Sequence, residues 1–252
     1  MYNYAIVRKP AKNFSNGITT ANMGKPDFKK ALKQHEEYCK ALTECGVDLI
    51  VLDADDQFPD GCFVEDTAVV TEQMAVITRP GAESRRGETK KIEEVLFEYK
   101  KIERIKAPGT LDGGDIVRAE DHFFIGISGR TNEKGGRQMD KILNAYGYTG
   151  TPVLVSDGLH LKSGMNYIGD NTVIALKDYA GLPDLKDYTI IPIDDDESYA
   201  AISLRCNDYV IVPKGFPKAK ERIQSEGFKI LEVETTEFQK MDGGLTCLSL
   251  LF

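Results

Sequence analysis

Tryptophan is absent from this chain of 252 residues, and histidine occurs only three times. No apolar run approaches the roughly 20 residues that a membrane-spanning helix requires. The five cysteines are odd in number and none belongs to a CxxC motif, which argues against a disulfide scaffold and a structural zinc site. A net charge of −8 argues against nucleic acid as a partner, because nucleic-acid-binding proteins carry a basic stripe. These absences predict a globular protein with reduced thiols.

Two features of the sequence bear on localisation and on domain organisation. Its first eight residues predict a strand that enters the fold directly, without the apolar core and cleavage site of a secretory signal. We therefore expect a cytoplasmic protein. No low-complexity linker interrupts the sequence, so we expect residues 1–252 to form a single domain. The oligomeric state, including a homodimer, is left open.

One arrangement of secondary structure recurs along the chain. Apolar residues at helical spacing predict four helices, each followed by a short strand. The helices are predicted at 26–44, 88–99, 134–146 and 219–226, and the strands that follow them at 47–52, 102–105, 152–155 and 228–233. Strand pairs are predicted at 62–70 with 74–78, 115–118 with 122–127, 166–169 with 171–176, and 199–204 with 209–212. This repeated ββαβ module predicts an α/β fold with pseudo-symmetric closure around a centre.

If such modules surround a centre, polar residues at their inner ends should converge there. In the apolar stretch 58–70, Glu65 and Asp66 are adjacent and, in a strand, would point to opposite faces. At least one of these carboxylates would then be partly buried and would require a positive partner. A cationic ligand and an internal lysine or arginine both satisfy that requirement, and the segment alone leaves the two open.

Three further residues suit covalent chemistry. Cys247 follows Asp-Gly-Gly-Leu-Thr, in which the glycines let the backbone bend or approach another group closely. His160 lies between two leucines just before Lys-Ser-Gly, and Asp112 opens the turn Asp-Gly-Gly-Asp. A thiol, a histidine and an acid that orients the histidine form the general arrangement of covalent catalysis. A buried structural cysteine, a hydrogen-bonded core histidine and a simple turn remain the alternatives at these positions.

Arginines lie in two loops rich in glycine or proline. Arg85 and Arg86 lie in 79–87, and Arg130 lies in 126–132. Rigid loops suit bidentate recognition of a carboxylate by a guanidinium, although a surface role fits Arg86 equally. Carboxylates for a cation and arginines for a carboxylate together indicate a small substrate similar to arginine.

Six separated motifs carry a resemblance to a known family. They are FPDxxFVEDTAVV, TRPGAESRRGE, APGTLDGGDI, IGISGRTNEKG, LHLKSG and DGGLTCLSLLF. In this order, the chain from Arg8 to Phe252 resembles the dimethylarginine dimethylaminohydrolases, guanidino-modifying enzymes with the five-bladed α/β propeller called the pentein fold. The resemblance implies hydrolysis of asymmetric dimethylarginine or monomethylarginine to citrulline and dimethylamine or methylamine, without a metal or an organic cofactor.

The resemblance also implies a role for each candidate residue. Cys247 would be the nucleophile, His160 the general acid and base, and Asp112 the acid that orients His160. The remaining residues would bind the substrate: Asp66 and Glu65 the guanidinium, Arg85 and Arg130 the carboxylate, and backbone near Ile18, in a lid loop, the α-amino group, while Asp60 would help to order the site.

The chain departs from the family pattern in two segments. Relatives carry Asn-Cys where this chain has Ile202-Ser203, which implies different packing beneath the site. Some bacterial relatives carry Glu where this chain has Asp112, which implies a shorter reach to His160.

Lys162 favours a resemblance to dimethylarginine dimethylaminohydrolases over one to arginine deiminases, because the deiminases show a second acid two residues after the histidine. A deiminase or hydrolase that acts on arginine or on another guanidino or ureido compound remains the alternative. A non-catalytic arginine-binding protein is disfavoured, because binding alone needs no thiol.

Overall fold

The predicted alternation of strand pairs and helices is present in the computed structural model, which describes residues 1–156 and 158–252. The strands are β1 Tyr4–Arg8, β2 Asp48–Leu52, β3 Ala68–Val70, β4 Met74–Ile77, β5 Lys101–Arg104, β6 Ile116–Ala119, β7 His122–Ile127, β8 Thr149–Leu154, β9 Met165–Gly169, β10 Thr172–Leu176, β11 Thr189–Ile193, β12 Leu204–Cys206, β13 Tyr209–Pro213, β14 Lys229–Val233 and β15 Leu250–Leu251. The α-helices are α1 Phe28–Glu44, α2 Thr89–Leu96, α3 Glu133–Ala145, α4 Lys177–Ala180, α5 Pro217–Ser225 and α6 Thr236–Gln239. Among the described residues, no helix has both the length and the apolar character needed to cross a membrane.

Within residues 1–156 and 158–252, the strands form five sheets of three strands each. Four of them, β3-β4-β5, β6-β7-β8, β9-β10-β11 and β12-β13-β14, share one plan: an antiparallel pair, then a helical connection, then a strand that is parallel to the second. In the fifth, β15-β1-β2, the first position is taken by the last strand of the chain, and Ile6 pairs with Leu250. Parallel neighbours require a long crossover, which the helices supply. The five sheets therefore fit repeated ββαβ modules.

The chain divides into two compact units. One unit consists of Met1–Val64 with Ile202–Phe252 and contains the sheets β15-β1-β2 and β12-β13-β14. Its apolar core includes Tyr38 of α1, which is fully buried. The other unit is Glu65–Ala201, which contains the remaining three sheets. One of its apolar clusters includes Phe123.

The strand predicted over 62–70 is wrong in its first half. Val64–Thr67 forms a 3-10 helical turn, and only Ala68–Val70 is extended. The carbonyl oxygen of Glu65 lies so close to Gly113 that a Cβ at that glycine would be 2.0 Å from it. Packing against a distant segment thus decides the backbone here, and strand propensity is overridden. As a result, the two carboxylates of this segment do not point to opposite faces of a sheet.

Helical turns also replace predicted extended segments towards the carboxyl end. Asp195–Ile202 is helical, although 199–204 was predicted as a strand. The side-chain amide of Asn166 donates to the carbonyl of Ala201 at 2.7 Å, which fixes this turn from outside the segment. Cys247 lies in the short 3-10 turn Thr246–Leu248 and precedes β15. The thiol is therefore presented by a turn.

The turn that carries Cys247 is tied to helix α1 by one side chain. The hydroxyl of Tyr38 donates to the carbonyl of Leu245 at 2.9 Å and lies 2.7 Å from the hydroxyl oxygen of Ser249. Tyr38 is completely buried, so water does not replace these bonds. The conformation of residues 245–249 therefore depends on a group in a different element.

Replacing Tyr38 by phenylalanine should destabilise the fold. The buried carbonyl of Leu245 and the hydroxyl of Ser249 lose a hydrogen-bond partner, and we expect the free energy of unfolding to fall by about 1–3 kcal/mol. Urea denaturation of Tyr38→Phe measures this difference. The matched control is Tyr99→Phe, since Tyr99 is 43% exposed and its hydroxyl can bond to water. Equal stability of the two variants would show that the Tyr38 hydroxyl does not hold the turn.

Candidate active site

The predicted contact between His160 and Asp112 is present. Nε2 of His160 lies 3.0 Å from Oδ2 of Asp112, and both side chains are buried. Each residue directly precedes a 3-10 turn, so the two turns bring the side chains together within the unit Glu65–Ala201. The other carboxylate oxygen of Asp112 accepts a hydrogen bond from the amide of Gly81 at 2.8 Å. Asp112 is thus held from two sides, which fixes the direction in which it meets the imidazole.

Asp66 lies next to this pair. Its Oδ1 is 3.9 Å from Nε2 of His160 and accepts the amide of Gly114 at 2.9 Å. Its Oδ2 accepts a hydrogen bond from Nη1 of Arg85 at 2.6 Å. A Cβ at Gly114 would lie 2.7 Å from Nδ1 of His160 and 2.9 Å from Oδ1 of Asp66. The second glycine of the Asp-Gly-Gly-Asp motif is therefore required for the close approach of backbone to both groups.

The carboxylates hold His160 in its protonated form. Burial lowers the pKa of His160, but the charge of Asp66, the hydrogen bond to Asp112 and the charges of Asp115 and Asp112 raise this pKa to about 9. Burial raises the pKa of Asp66, but the charges of His160 and Arg85 and the hydrogen bonds from Arg85 and Gly114 lower it to about 2. At neutral pH the cluster therefore contains an imidazolium beside an ionised aspartate.

Arg85 is buried and bonded to two carboxylates. Besides Asp66, it binds Glu88, to which Nε and Nη2 donate at distances between 2.9 and 3.2 Å. Burial lowers the pKa of Arg85, but the neighbouring charges of Asp66 and Glu88 raise it well above its ordinary value. Glu88 was not singled out from the sequence, although its spacing of three residues from Arg85 on a helical turn is a signal for such a pair. The guanidinium of Arg85 thus holds the position of Asp66.

The sequence left two partners open for the carboxylate of Glu65, a cationic ligand and an internal lysine or arginine, and the structure has the internal one. Lys162 lies 2.5 Å from Oε1 of Glu65, so the carboxylate has an internal cation. Burial raises the pKa of Glu65, while the charge of Lys162 and its hydrogen bond lower it, and the net direction is upward. Lys162 follows His160 by two residues, so this ion pair also connects the histidine turn to the segment before β3.

Asp115 is a buried residue of the site that sequence reasoning missed. Its Oδ1 accepts the amide of Leu161 at 2.9 Å, and its Oδ2 accepts the hydroxyl of Ser128 at 2.6 Å. The residue next to His160 in the chain is thereby anchored. The signal was the second acid of Asp-Gly-Gly-Asp, a carboxylate at the first position of the predicted strand 115–118.

Arg130 also lies close to Asp112. Its Nη1 lies 3.7 Å from Oδ2 of Asp112, and its side chain retains 16% exposure. The amide of Arg130 donates to the hydroxyl of Ser128 at 3.0 Å, so its backbone is tied to the loop that also meets Asp115. Unlike Arg85, Arg130 retains an accessible edge.

Cys247, Asp60 and Ile18 belong to the unit Met1–Val64 with Ile202–Phe252. Both carboxylate oxygens of Asp60 accept the amide of Ile18, at 3.0 and 3.2 Å. Cys247 is half-buried, whereas Cys45, Cys62 and Cys206 are buried in the apolar core. Cys39 is also half-buried, and burial raises the pKa of its thiol to about 11.

Asp66, Asp112 and His160 also bring three metal-ligating atoms within 4.8 Å of one another. A metal ion at these atoms would have to displace the proton of His160, which the carboxylates stabilise, and would lie beside the guanidinium of Arg85. The positive charges of His160 and Arg85 already offset those of the carboxylates in this cluster, so a third cation is unfavourable there. The chemistry of this cluster therefore fits a proton on the imidazole better than a metal.

Comparison with known proteins agrees with the motifs. Residues 13–248 match the profile of the family described as N,N dimethylarginine dimethylhydrolase, eukaryotic. The chain belongs to this family. It is similar to the N(G),N(G)-dimethylarginine dimethylaminohydrolase of Pseudomonas aeruginosa, with 46% identity over 100% of both chains. The family predicted from the sequence is confirmed.

Solved structures of such enzymes have the same fold. DDAH from Pseudomonas aeruginosa, as a cysteine-to-serine mutant complexed with citrulline, matches with a TM-score of 0.98, 46% identity and full coverage of both chains. A dimethylarginine dimethylaminohydrolase with a histidine-to-glycine change, as an adduct with S-methyl-L-thiocitrulline, matches equally well: TM-score 0.98, 46% identity and full coverage of both chains.

The charge state of His160 can be measured directly, because the chain contains only three histidines. We expect its imidazole to titrate near 9, whereas burial lowers the pKa of His35 to about 4 and lowers the pKa of His122 from its ordinary value. Proton–carbon NMR of histidine-labelled protein, with each signal assigned by a single substitution, measures all three values.

Two variants test the cause. Asp66→Asn and Asp112→Asn should each lower the pKa of His160, because each removes a negative charge beside the imidazolium. The signals of His35 and His122 serve as internal controls and should not move. A His160 signal that titrates below pH 7 in the unsubstituted protein would contradict this account.

Proposed function

We propose that this protein hydrolyses the guanidinium of N-methylated arginine, namely asymmetric dimethylarginine and monomethylarginine, to citrulline and dimethylamine or methylamine. The observation that carries the proposal is the buried imidazolium of His160 between Asp112 and Asp66, in a chain that is 46% identical over its full length to a dimethylarginine dimethylaminohydrolase. A positioned acid of this kind is what the departure of an amine requires. No metal or organic cofactor takes part in the proposed reaction.

Three residues carry the chemistry. The thiolate of Cys247 attacks the planar guanidinium carbon, and the bond to the methylated nitrogen breaks while His160 protonates the departing amine. An amidino-thioether remains on Cys247. Neutral His160 then takes a proton from water, whose oxygen attacks the same carbon, and cleavage of the carbon–sulfur bond releases citrulline and the thiolate of Cys247. Asp112 orients the imidazole and stabilises its charged form. The raised pKa of His160 supports its role as the acid of the first step.

The thiol requires a separate source of activation. His160 already carries a proton at neutral pH and so does not serve as the base that ionises Cys247. No lysine or arginine adjoins Cys247 in the sequence. The guanidinium of the substrate brings a positive charge to the sulfur, and this charge favours the thiolate, so the thiol releases its proton to solvent water. The substrate thus helps to ionise its own nucleophile.

The substrate-binding residues are proposed as follows. Asp66 and Glu65 bind the guanidinium, Arg85 and Arg130 bind the carboxylate, and backbone near Ile18 binds the α-amino group. Asp60 helps to order the site. Among these residues, Arg130 offers the guanidinium with an accessible edge. Arg85 is bonded to Asp66 and Glu88, which supports a part in placing Asp66 as well. Citrulline and S-methyl-L-thiocitrulline, present in the structures of similar enzymes, have the arginine-like skeleton that this assignment requires.

The wider organisation is proposed on the same basis. Five ββαβ modules support a five-bladed propeller of the pentein type with pseudo-fivefold symmetry, and residues 1–252 as its single catalytic domain. The match over the full length of a similar enzyme supports the same extent. A cytoplasmic location remains a prediction from the sequence, and the oligomeric state, including a homodimer, stays open.

The reaction is tested by citrulline release from arginine, monomethylarginine and asymmetric dimethylarginine. We expect turnover of the methylated substrates and little turnover of arginine. Cys247→Ser should abolish release with an unchanged unfolding transition, because the hydroxyl is a far weaker nucleophile than the thiolate. The matched controls are single alanine variants of the other cysteines, of which Cys39→Ala is the closest match in exposure. Near-normal release by Cys247→Ser would exclude the covalent route, and equal turnover of arginine would exclude the preference for methylated substrate.

Alanine substitutions of Arg130 and Arg85 should have different effects. Arg130→Ala loses a charge-assisted contact to the substrate carboxylate, and we expect KM to rise roughly tenfold to a hundredfold with an intact fold. Arg85→Ala leaves Asp66 and Glu88 buried without their cation, so we expect a loss of about 3–5 kcal/mol in the free energy of unfolding. Kinetics and urea denaturation on both variants separate these effects. An unchanged stability of Arg85→Ala would show that the buried ion pairs do not support the fold.

A further inference from the structure

A single carboxylate joins the loop of residues 17–20 to the turn before Cys247. Oδ2 of Asp242 accepts the amide of Thr20 at 2.5 Å, the hydroxyl of Thr20 at 3.0 Å and the hydroxyl of Thr19 at 3.2 Å. The hydroxyl of Thr19 also lies 3.0 Å from the carbonyl of Lys240. All these residues belong to the unit Met1–Val64 with Ile202–Phe252, although more than 220 positions of sequence separate the partners.

The other side of the loop is held by a second carboxylate. Asp60 accepts the amide of Ile18 with both oxygens, and a Cβ at Gly17 would lie 2.4 Å from Oδ1 of Asp60. Residues 17–20 form no helix or strand, and 40% of the surface of Ile18 is exposed. Apolar packing therefore contributes little to the position of this loop. Its position depends on hydrogen bonds to Asp60 and Asp242.

The backbone at Asp242 is firmly seated. Its φ is +57°, a left-handed conformation, and its amide donates to the carbonyl of Gln239. The next residue, Gly243, packs so closely against the ring of Phe63 that a Cβ would lie 2.1 Å from a ring carbon. The turn is thus fixed by the core, whereas the loop is exposed. When the bonds at Asp242 break, the loop is the partner that is free to move.

We propose that Asp242 is a positioning residue that latches residues 17–20, the loop whose backbone near Ile18 is assigned to the α-amino group of the substrate. Cys247 follows Asp242 by five positions, so the carboxylate that holds the loop belongs to the same turn region that presents the nucleophile. Opening of the loop breaks the three bonds to Oδ2, and water then hydrates the half-buried carboxylate, which offsets part of their loss. The effect on substrate binding rests on the proposed function, whereas the latch itself does not.

The test removes the carboxylate without straining the backbone. Glycine adopts a φ of +57° without a steric penalty, so Asp242→Gly deletes the latch and leaves the turn its conformation. The matched control is Asp170→Gly, which makes the same substitution at a φ of +50° in the hairpin between β9 and β10. Asp242→Asn retains an acceptor oxygen for the amide of Thr20 and should recover part of the loss.

Hydrogen–deuterium exchange gives the first readout, and it does not depend on activity. In Asp242→Gly, the peptide that covers residues 17–24 should exchange at least tenfold faster, while peptides from α1 keep their rates. Asp170→Gly should leave the 17–24 peptide unchanged. Unaltered exchange of that peptide in Asp242→Gly would overturn the proposal, even if the melting temperature fell, because it would show that the carboxylate only stabilises the turn.

Steady-state kinetics gives the second readout. We expect KM for monomethylarginine to rise roughly tenfold in Asp242→Gly with a smaller change in kcat, since the loop contributes to binding in the ground state and the transition state alike. Asp242→Asn should lie between this variant and the unsubstituted enzyme. A fall in kcat at constant KM would overturn the positioning role. If the unsubstituted protein released no citrulline, the proposed function would fail, and the exchange experiment would still decide whether the latch exists.

Discussion

The ion cluster of Arg85, Asp66 and His160 is the interaction on which the candidate site depends. A buried carboxylate is tolerated only when it is paired and hydrogen-bonded, and Asp66 meets both conditions through Arg85 and the amide of Gly114. The ionised Asp66 in turn raises the pKa of His160. The charge of the proposed acid is therefore set by Asp66 and Asp112, and Asp66 is itself held in place by Arg85. Electrostatics and fold stability are carried by the same groups.

Two adjacent glycines make this cluster geometrically attainable. At Gly113 a Cβ would lie 2.0 Å from the carbonyl oxygen of Glu65, and at Gly114 it would lie 2.7 Å from Nδ1 of His160. Neither distance leaves room for any other residue. The 3-10 turn that contains these glycines therefore approaches both the acidic segment and the histidine with its backbone. This explains why Asp-Gly-Gly-Asp serves as more than a turn, although a turn was one of the two interpretations that the sequence allowed.

The sequence predicted those parts of the fold that depend on local periodicity. Helix α1 and the strand that follows it match the 26–44 and 47–52 predictions within two residues at each end, because the apolar stripe is a local signal. The helical turn Val64–Thr67 was not predicted, since Gly113 decides it from a distance. The contact between His160 and Asp112 was reached through the resemblance. The pairing of Glu65 with Lys162 was left open, because the partners lie 97 positions apart.

The pKa values of the cluster also set how its contribution to stability varies with pH. His160 has a folded-state pKa of about 9, above its ordinary value of 6.5, so its contribution is complete below 6.5 and is lost as pH rises through 9. Asp66 has a folded-state pKa of about 2, below its ordinary value of 3.8, so its contribution is complete above 3.8 and is lost as pH falls through 2. Both contributions are therefore complete between 3.8 and 6.5. At neutral pH His160 remains protonated in the folded protein, and a small part of its contribution to stability is already lost, because the imidazole of the unfolded chain is then largely neutral.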